Sequence, residues 1–259
     1  LFTYFGNPRS ATILLTRAHK LFKKQESREN MMKCLVELGS LYYFTGYVKE
    51  AKLLMEQVLD DVEKPSMTYI IAMTYLTFLS SVLGEFETAA TYYKEVWEVI
   101  ETLPDFKRKA STVLINTSYS HTLYITGEFK QSQKLNEKLL KSSIELNLDP
   151  CLPLVYYQLS ATSYCLGQFD AGIEFAQKGI EICEKISLLD SRKGWIYLAW
   201  AQNSLGLGKF DQAIKYIDLS IELYEEPGNR WGMANAWECL HQVYLAQGKF
   251  KRAKQILDK

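Results

Sequence analysis

Several residue types are scarce in this chain of 259 residues, and their scarcity excludes whole classes of function. Three histidines are present, and thirty basic residues are balanced by thirty acidic ones, so the formal net charge is zero. A chain with zero net charge has no excess of positive charge to attract nucleic acid or an anionic membrane. No apolar run approaches the roughly eighteen residues that a membrane-spanning helix needs. We therefore expect no nucleic-acid partner and no membrane partner for this domain.

The cysteines give no sign of a disulfide framework or a metal site. They are odd in number, widely scattered and without a C-x-x-C pair: Cys34, Cys151, Cys165, Cys183 and Cys239. This pattern predicts reduced thiols and a cytoplasmic protein. The three histidines are far apart in the sequence, no glycine-rich phosphate loop occurs, and no carboxylate is evident beside the Ser118 and His121 pair. The sequence therefore predicts no cofactor, no metal and no enzymatic activity.

What the sequence does contain is a repeat. A short segment that begins with glycine recurs seven times at intervals of 38 to 43 residues, at positions 6, 46, 84, 127, 167, 208 and 248. A period of this length is typical of proteins built from stacked helical or mixed repeats. Five residues after each glycine stands a small residue: Ala11, Ala51, Ala89, Ser132, Gly172, Ala213 or Ala253. We expect that small side chain to let two helices approach closely.

An aromatic residue recurs two positions after the glycine, as Phe86, Phe129, Phe169, Phe210 and Phe250. An evenly repeated residue serves the repeat itself, so we expect this aromatic to pack beneath the turn. Around each glycine the apolar residues have helical spacing, as in MMKCLVELGSLYYFTG at 31–46 and in the segment that follows it. Five of the six prolines, Pro65, Pro104, Pro150, Pro153 and Pro227, fall between these paired segments, and Pro8 lies near the first turn of a helix. Each period therefore predicts a helical hairpin.

These residues resemble the tetratricopeptide repeat. Its pattern W-x2-L-G-x2-Y, followed by A-x3-F, is similar to Leu35, Leu38, Gly39 and Tyr42 followed by Ala51 and Met55. The period here is about six residues longer than usual, as in kinesin light chains, spindle-orientation adaptors, bacterial peptide-sensing regulators and the sensor region of maltose-type activators. The resemblance implies an all-α, right-handed superhelical solenoid of stacked antiparallel hairpins, with about six and a half repeats.

The predicted organisation is a single solenoid domain over 1–259. The repeats are expected at 1–24 (a half repeat), 27–63, 66–102, 106–147, 151–187, 191–226 and 230–259. Because the first repeat glycine follows only five residues, and because the last helical pattern shows no stop signal, we expect the chain to be a fragment of a larger protein.

In the resembling family the first helix of each hairpin lines a concave groove. The ligand-facing positions that the resemblance transfers to this sequence include seven candidate partner-binding residues: Tyr43, Phe78, His121, Tyr124, Tyr157, Tyr164 and Gln202. Aromatic side chains of this kind suit the anchoring of a peptide or helix. The alternative is that the longer helices shift the register and that these aromatics belong to the core. The carboxylate clamp of chaperone-binding members is absent, since its slots hold Val36, Ser40, Thr74 and Thr117.

The favoured function is a protein-interaction or regulatory scaffold that binds a partner peptide or helix in its concave groove and has no catalysis of its own. Two alternatives remain: a ligand- or peptide-sensing domain of a multidomain regulator, and a structural arm of an ATPase or enzyme assembly. A binder should expose its most apolar surface on the concave face, whereas an arm should expose it at the ends or the convex face. A solenoid of this kind could also form oligomers through its two ends.

Overall fold

The computed structural model describes residues 8–186, 190–225 and 228–258. Within these ranges it contains thirteen α-helices, one short 3-10 helix at Asp149–Cys151 and no strand. This confirms the predicted all-α helical-repeat class. Contacts between Cα atoms divide the chain into two compact units, Leu1–Glu128 and Phe129–Lys259. We call them the N-terminal and C-terminal units and describe each by itself, so a single domain over 1–259 remains a prediction.

The N-terminal unit contains six helices: α1 (Pro8–Lys24), α2 (Arg28–Phe44), α3 (Val48–Asp61), α4 (Met67–Val82), α5 (Phe86–Ile100) and α6 (Asp105–Ile125). Helix α2 packs against α1 and α3, and α4 packs against α3, α5 and α6. The C-terminal unit contains seven: α7 (Phe129–Glu145), α8 (Leu152–Cys165), α9 (Phe169–Lys185), α10 (Asp190–Gly206), α11 (Phe210–Glu225), α12 (Arg230–Ala246) and α13 (Phe250–Leu257). Here the hairpins are α8 with α9, α10 with α11 and α12 with α13. We call the even-numbered helices first helices and the odd-numbered ones second helices.

The repeat glycines end the first helices. Gly46 has φ of +89°, and the other glycines of the series from Gly84 to Gly248 also have positive φ, between +69° and +84°. The Gly46 N–H bonds to the Tyr43 carbonyl at 3.0 Å, and the Tyr47 N–H bonds to the Tyr42 carbonyl at 2.8 Å. Such a pair of bonds closes a helix around a left-handed residue, for which glycine has no steric penalty. Gly6 lies outside the described residues.

The small residue is buried from the second repeat onward, as predicted, whereas Ala11 of the first repeat is half-buried. Ala51, Ala89 and Ala213 are fully buried, and so is Ser132 in the same repeat position. In the first complete hairpin a Cβ built at Gly39 on α2 would lie 3.3 Å from the carbonyl oxygen of Ala51 on α3. The two backbones therefore approach each other at the point where a larger side chain could not fit.

The recurring phenylalanine packs beneath the turn only in some repeats. A Cβ built at Gly206 would lie 2.3 Å from the ring of Phe169, so this ring occupies the space that the glycine of α10 leaves open. Phe86 is 40% exposed and Phe250 is 69% exposed, so for these two the prediction was wrong. The residue of α6 that corresponds to Gly206 is Ile125, which has a side chain where Gly206 has none.

The prolines stand at helix boundaries in the described chain. Pro8 is the first residue of α1, Pro65 and Pro104 lie between helices, and Pro153 lies in the first turn of α8. Proline has no N–H to donate, and the first turn of a helix is where that donor is not needed. Pro227 lies outside the described residues.

Candidate functional site

Four of the seven candidate partner-binding residues come together in the N-terminal unit. Tyr43 lies on α2, Phe78 on α4, and His121 and Tyr124 on α6. The rings of Tyr43 and Phe78 meet edge to face with centroids 4.9 Å apart, and Phe78 lies 4.6 Å from His121. The His121 and Tyr124 centroids are 6.1 Å apart. We call these four residues the aromatic row, which crosses three successive first helices.

The members of the aromatic row differ in burial. Tyr43 and His121 are each 7% exposed, whereas Phe78 and Tyr124 are half-buried. The first two are held inside by their neighbours, and the second two leave part of each ring accessible. The row is therefore part core and part surface, so it combines the two alternatives that the sequence left open.

Hydroxyl groups tie the first helices together beside the row. The hydroxyls of Ser40 on α2 and Tyr75 on α4 are 2.5 Å apart, and those of Ser81 on α4 and Thr122 on α6 are also 2.5 Å apart. Such short hydrogen bonds between buried or half-buried groups fix the helices at a set spacing. Helix α4, which lies at the centre of the row, has no charged residue anywhere in its sixteen residues. Around α4 the row is therefore flanked by hydroxyl groups, and this central helix adds no charge to it.

The imidazole of His121 is buried and uncharged. Its Nδ1 atom is buried and has no hydrogen-bond partner in the described part of the chain. Burial lowers the pKa of His121 from 6.5 to about 4, because an imidazolium would lose its hydration there. The ring is therefore neutral at pH 7, and it packs against Phe78 as an aromatic side chain.

The other three candidates lie in the C-terminal unit and have different surroundings. Tyr157 on α8 packs at 6.0 Å from Trp195 and against the buried cluster that includes Ile180 and Ile196. Burial raises the pKa of the Tyr157 phenol to about 12. Tyr164, also on α8, is half-buried with its ring 6.0 Å from that of Phe169. Gln202 on α10 is half-buried. Tyr157 thus belongs mostly to the core.

The sequence reasoning missed a second aromatic cluster in the C-terminal unit. Tyr224 on α11 is fully buried, and Trp195 lies 5.5 Å from its ring and 5.0 Å from the ring of Trp231. A Cβ built at Gly194 or at Gly232 would lie 2.6 Å or 2.7 Å from the Tyr224 ring. A glycine inside a helix disfavours the helix and indicates a close approach, so these two glycines were the available signal.

The described residues contain no group of three or more histidine, cysteine, aspartate or glutamate side chains that could hold a metal ion. None of the helices in the described ranges is both long enough and apolar enough to cross a membrane. All five cysteines are free thiols, and burial raises the pKa of Cys34, of Cys151 and, to about 12, of Cys239.

No protein-family model matches the sequence, and a search of curated proteins found no match. Three similar solved structures have TM-scores of 0.53 to 0.59 and sequence identities of 12% to 17%. At such identities the similarity establishes the fold alone.

The first is a signal-transduction ATPase with a tetratricopeptide-repeat sensor from Pyrococcus horikoshii (TM-score 0.59, 14% identity), of which the match covers 97% of this chain and 40% of that one. The second is a Rap protein in complex with competence and sporulation factor (0.59, 12%), with 88% and 75% covered. The third is a thermophilic tetratricopeptide-repeat protein of Thermus thermophilus (0.53, 17%), with 81% and 98% covered. Together with the glycine-capped hairpins, these matches show that the chain has a tetratricopeptide-like helical-repeat fold.

Proposed function

We propose that this chain is a protein-interaction scaffold that binds a partner peptide or helix across its first helices. The observation that supports this most directly is the aromatic row, in which four ring side chains from three helices are in contact along one path. Rigid aromatic side chains give a large contact area at a small entropic cost. Phe78 and Tyr124, which are half-buried, are the two members with surface to offer to a partner.

The chemistry of the face favours an apolar segment as the partner. Helix α4 has no charge, and its flanking polar groups are hydroxyls that already bond to each other. Binding should therefore depend little on moderate changes in ionic strength, since these act mainly by screening charges. A Rap protein of similar fold was solved in complex with competence and sporulation factor, which agrees with a binding role for such a fold.

A function without catalysis fits the side chains that could otherwise react. His121 is neutral and buried, and the raised pKa of Cys34 and of Cys239 keeps both thiols protonated and weakly nucleophilic at neutral pH. The five free cysteines also favour a reducing compartment, for which we propose the cytoplasm.

One observation favours a second candidate function, a role in assembly through helices α1 and α13. Several of the most exposed large apolar side chains lie on α1 and α13: Ile13 (48%), Leu14 (64%), Leu21 (59%), Phe250 (69%) and Leu257 (64%). Apolar exposure of this kind is expected of a structural arm. Binding on the first helices and assembly through the end helices use different surfaces, so the two roles are compatible.

A selection experiment tests the binding proposal even though the partner is unidentified. A phage-displayed library of random peptides is panned against the 259-residue protein, and the affinity of the enriched peptides is then measured for the wild type and for Tyr124→Ala. We expect enriched peptides to be rich in apolar residues and to bind Tyr124→Ala more weakly. Tyr47→Ala, at a 50% exposed ring on a turn, is the control and should bind them normally. Equal affinity for the wild type and Tyr124→Ala would count against the aromatic row as the binding face.

A further inference from the structure

The solvent-exposed sides of helices α7 and α9 carry opposite charges at matching positions of the repeat. Residues three, seven, eleven and fourteen positions after the repeat glycine lie on one side of a helix, and in α7 and α9 all of them are exposed. In α7 they form a basic stripe: Lys130, Lys134, Lys138 and Lys141. In α9 the fourth of them is Lys178, and the other three form an acidic stripe: Asp170, Glu174 and Glu181. Three of the four positions therefore have opposite signs in the two helices.

Helices α7 and α9 are neighbours in the C-terminal unit, yet no ion pair joins them within the described residues. Both helices pack on α8, and the Gln133 side chain of α7 donates to Gln168 Oε1, just before α9, at 2.6 Å. Lys141 Nζ lies 3.9 Å from a carboxylate oxygen of Glu145 in its own helix, and both side chains are well exposed, so this pair contributes little. The charges of the two stripes are therefore open to a partner.

The sign change between α7 and α9 is not a requirement of the repeat. Helix α11, the next second helix, has Asp211 and Glu222 at the first and last of the four positions, where α9 has Asp170 and Glu181. Neighbouring second helices with like charges at these positions thus occur in the same unit. The basic stripe beside the acidic stripe is therefore a particular feature of α7 and α9.

A two-fold axis parallel to the two helices matches both stripes at once. The axis runs midway between α7 and α9, so α7 of one copy lies over α9 of the other, and the reverse. Both helices begin two residues after their glycine and have seventeen residues, so equivalent positions lie at the same height. An interface of this symmetry makes every contact twice. In each half Lys138 meets Lys178, and three pairs of opposite charge form: Lys130 with Asp170, Lys134 with Glu174, and Lys141 with Glu181.

From this match we infer that helices α7 and α9 form an interface between two copies of the chain. The chain itself carries both stripes at the same spacing, whereas any other partner needs a matching pair of its own. Two copies also have no net charge to hold them apart, since the thirty basic and thirty acidic residues balance. The interface lies on second helices, so it is separate from the aromatic row on the first helices and adds self-association to the proposed scaffold.

The size and chemistry of the interface make the dimer weak. Helices of seventeen residues are about 25 Å long and about 10 Å wide, so α7 and α9 together cover roughly 500 Å² per copy. Stable complexes cover roughly 800 Å² per partner. Charged contacts set the orientation and the salt dependence of an interface more than its affinity. We therefore expect a dimer that forms at low salt and high protein concentration.

The test measures the mass of the full chain in solution by small-angle X-ray scattering, at protein concentrations up to about 0.5 mM. Raising the salt from about 0.01 M to about 1 M shortens the screening length from about 30 Å to about 3 Å. Two charge-reversal variants disrupt the match: Lys130→Glu/Lys134→Glu/Lys141→Glu on α7 and Asp170→Lys/Glu174→Lys/Glu181→Lys on α9. The control on α11 changes exposed residues and alters the net charge as much as the α9 variant does: Asp211→Lys/Asp218→Lys/Glu222→Lys. Circular dichroism checks that each variant is folded.

We expect the wild type to dimerise at low salt and its dissociation constant to rise at least about tenfold at high salt. Each reversal variant should be monomeric on its own, because its two stripes then have the same sign. An equimolar mixture of the two variants should form a heterodimer, since each reversed stripe matches the other. The α11 control should dimerise as the wild type does.

A wild type that stays monomeric at low salt would overturn the inference, and so would a mixture of the two reversal variants that stays monomeric. Reversal variants that dimerise like the wild type would assign the dimer to another surface, and an equal loss in the α11 control would assign the effect to net charge. Both results contradict the inference, as does a monomer that binds a polyglutamate peptide through α7. Peptides selected on the aromatic row should bind all these variants normally, so the two proposals fail independently.

Discussion

The aromatic side chains of the two units occupy different places in the same repeat. In the N-terminal unit, Tyr43, Phe78 and Tyr124 follow one another across the first helices, and two of them keep part of the ring exposed. In the C-terminal unit, Tyr224 and its neighbour Trp195 form a cluster around a fully buried phenol ring. One repeat pattern therefore supplies the partly exposed aromatic row in one unit and the buried cluster around Tyr224 in the other.

A redistribution of volume explains the difference. Tyr224 stands sixteen residues after its glycine, and the glycines Gly194 and Gly232 make room for it. In the N-terminal unit the corresponding residue is Ile100, and the places of the two glycines are taken by Ile70 and Ser111. Ile70 and Ile100 are both fully buried in one cluster. In the C-terminal unit a large ring packs beside two glycines, and in the N-terminal unit a smaller side chain packs beside two larger residues. The total side-chain volume is similar in the two cases, and packed cores tolerate such volume-conserving changes best.

The largest effect is expected from removing the buried ring. Tyr224→Ala should leave a cavity between Gly194 and Gly232 and cost about 3–5 kcal/mol of unfolding free energy, as other buried aromatic truncations do. Urea denaturation of the wild type and the variant gives the value. The matched control is Tyr47→Ala, at a 50% exposed ring, which should change little. A loss below about 1 kcal/mol for Tyr224→Ala would show that this cluster is not a core.

The next effect concerns the buried imidazole of the aromatic row. His121 has a pKa of about 4 when folded and 6.5 as its ordinary value, so the unfolded chain takes up a proton in this range before the folded chain does. The stability contributed by the neutral ring is complete above pH 6.5 and is lost as the pH falls toward 4. The difference corresponds to about 3 kcal/mol. His121→Phe should remove this part of the acid sensitivity.

The measurement compares the unfolding free energies of the wild type and His121→Phe at pH 7 and at pH 4. Carboxylates titrate in both proteins, so the difference between the two losses isolates the imidazole. If both proteins lost the same stability, the ring would be solvated and the row would be more open than its burial indicates.

A smaller effect is expected where a glycine replaces the alanine of other repeats. A Cβ built at Gly172 would lie 2.1 Å from Oδ1 of Asn203, whose amide donates to the Ser160 and Ala199 carbonyl oxygens at 3.0 and 2.8 Å. Gly172→Ala should therefore destabilise the C-terminal unit by about 1–3 kcal/mol through overpacking. The preceding repeat has Thr162 in the place of Asn203. Adding Asn203→Ser should restore much of the loss caused by Gly172→Ala; strictly additive effects would contradict the contact.

The smallest effect is expected at the exposed phenylalanine of the last repeat. Phe250 is 69% exposed, so Phe250→Ala should change the unfolding free energy by no more than about 0.5 kcal/mol. Phe169, in the same repeat position, lies in the space left by Gly206, and Phe169→Ala should cost clearly more. Thermal denaturation of the two variants ranks them, and an equal loss would show that the position has one role throughout.

Some of this arrangement could be predicted from the sequence because it recurs. The glycine that ends each first helix has positive φ in all six repeats where the structure describes it, and the small residue follows it by five positions in each. Ala51, Ala89 and Ala213 accordingly lie where the period placed them. A recurring residue does not have the same burial in every repeat when the residue it packs against changes. Phe86 and Phe250 are exposed although they occupy the same repeat position as Phe169.

The rest depends on contacts between residues far apart in the sequence. Asn203 and Gly172 compensate for each other, and so do Tyr224 and its two glycines, yet each pair is visible only when the helices are in place. The seven candidate site residues were chosen by their position in the repeat, at places that face the ligand in the resembling family. That choice brought Tyr43, Phe78, His121 and Tyr124 together, but it could not show that Tyr157 packs against Trp195.

The central claim is that the aromatic row of the N-terminal unit binds a partner, and Tyr124→Ala tests it most directly. The melting temperature and the affinity for a peptide selected on the wild-type protein are measured on the same variant. Loss of a true anchor should weaken binding by roughly thirtyfold, equivalent to about 2 kcal/mol, with the melting temperature nearly unchanged. A loss of about 3–5 kcal/mol in stability, as for a buried aromatic ring, with binding by the folded fraction unaltered, would contradict the account.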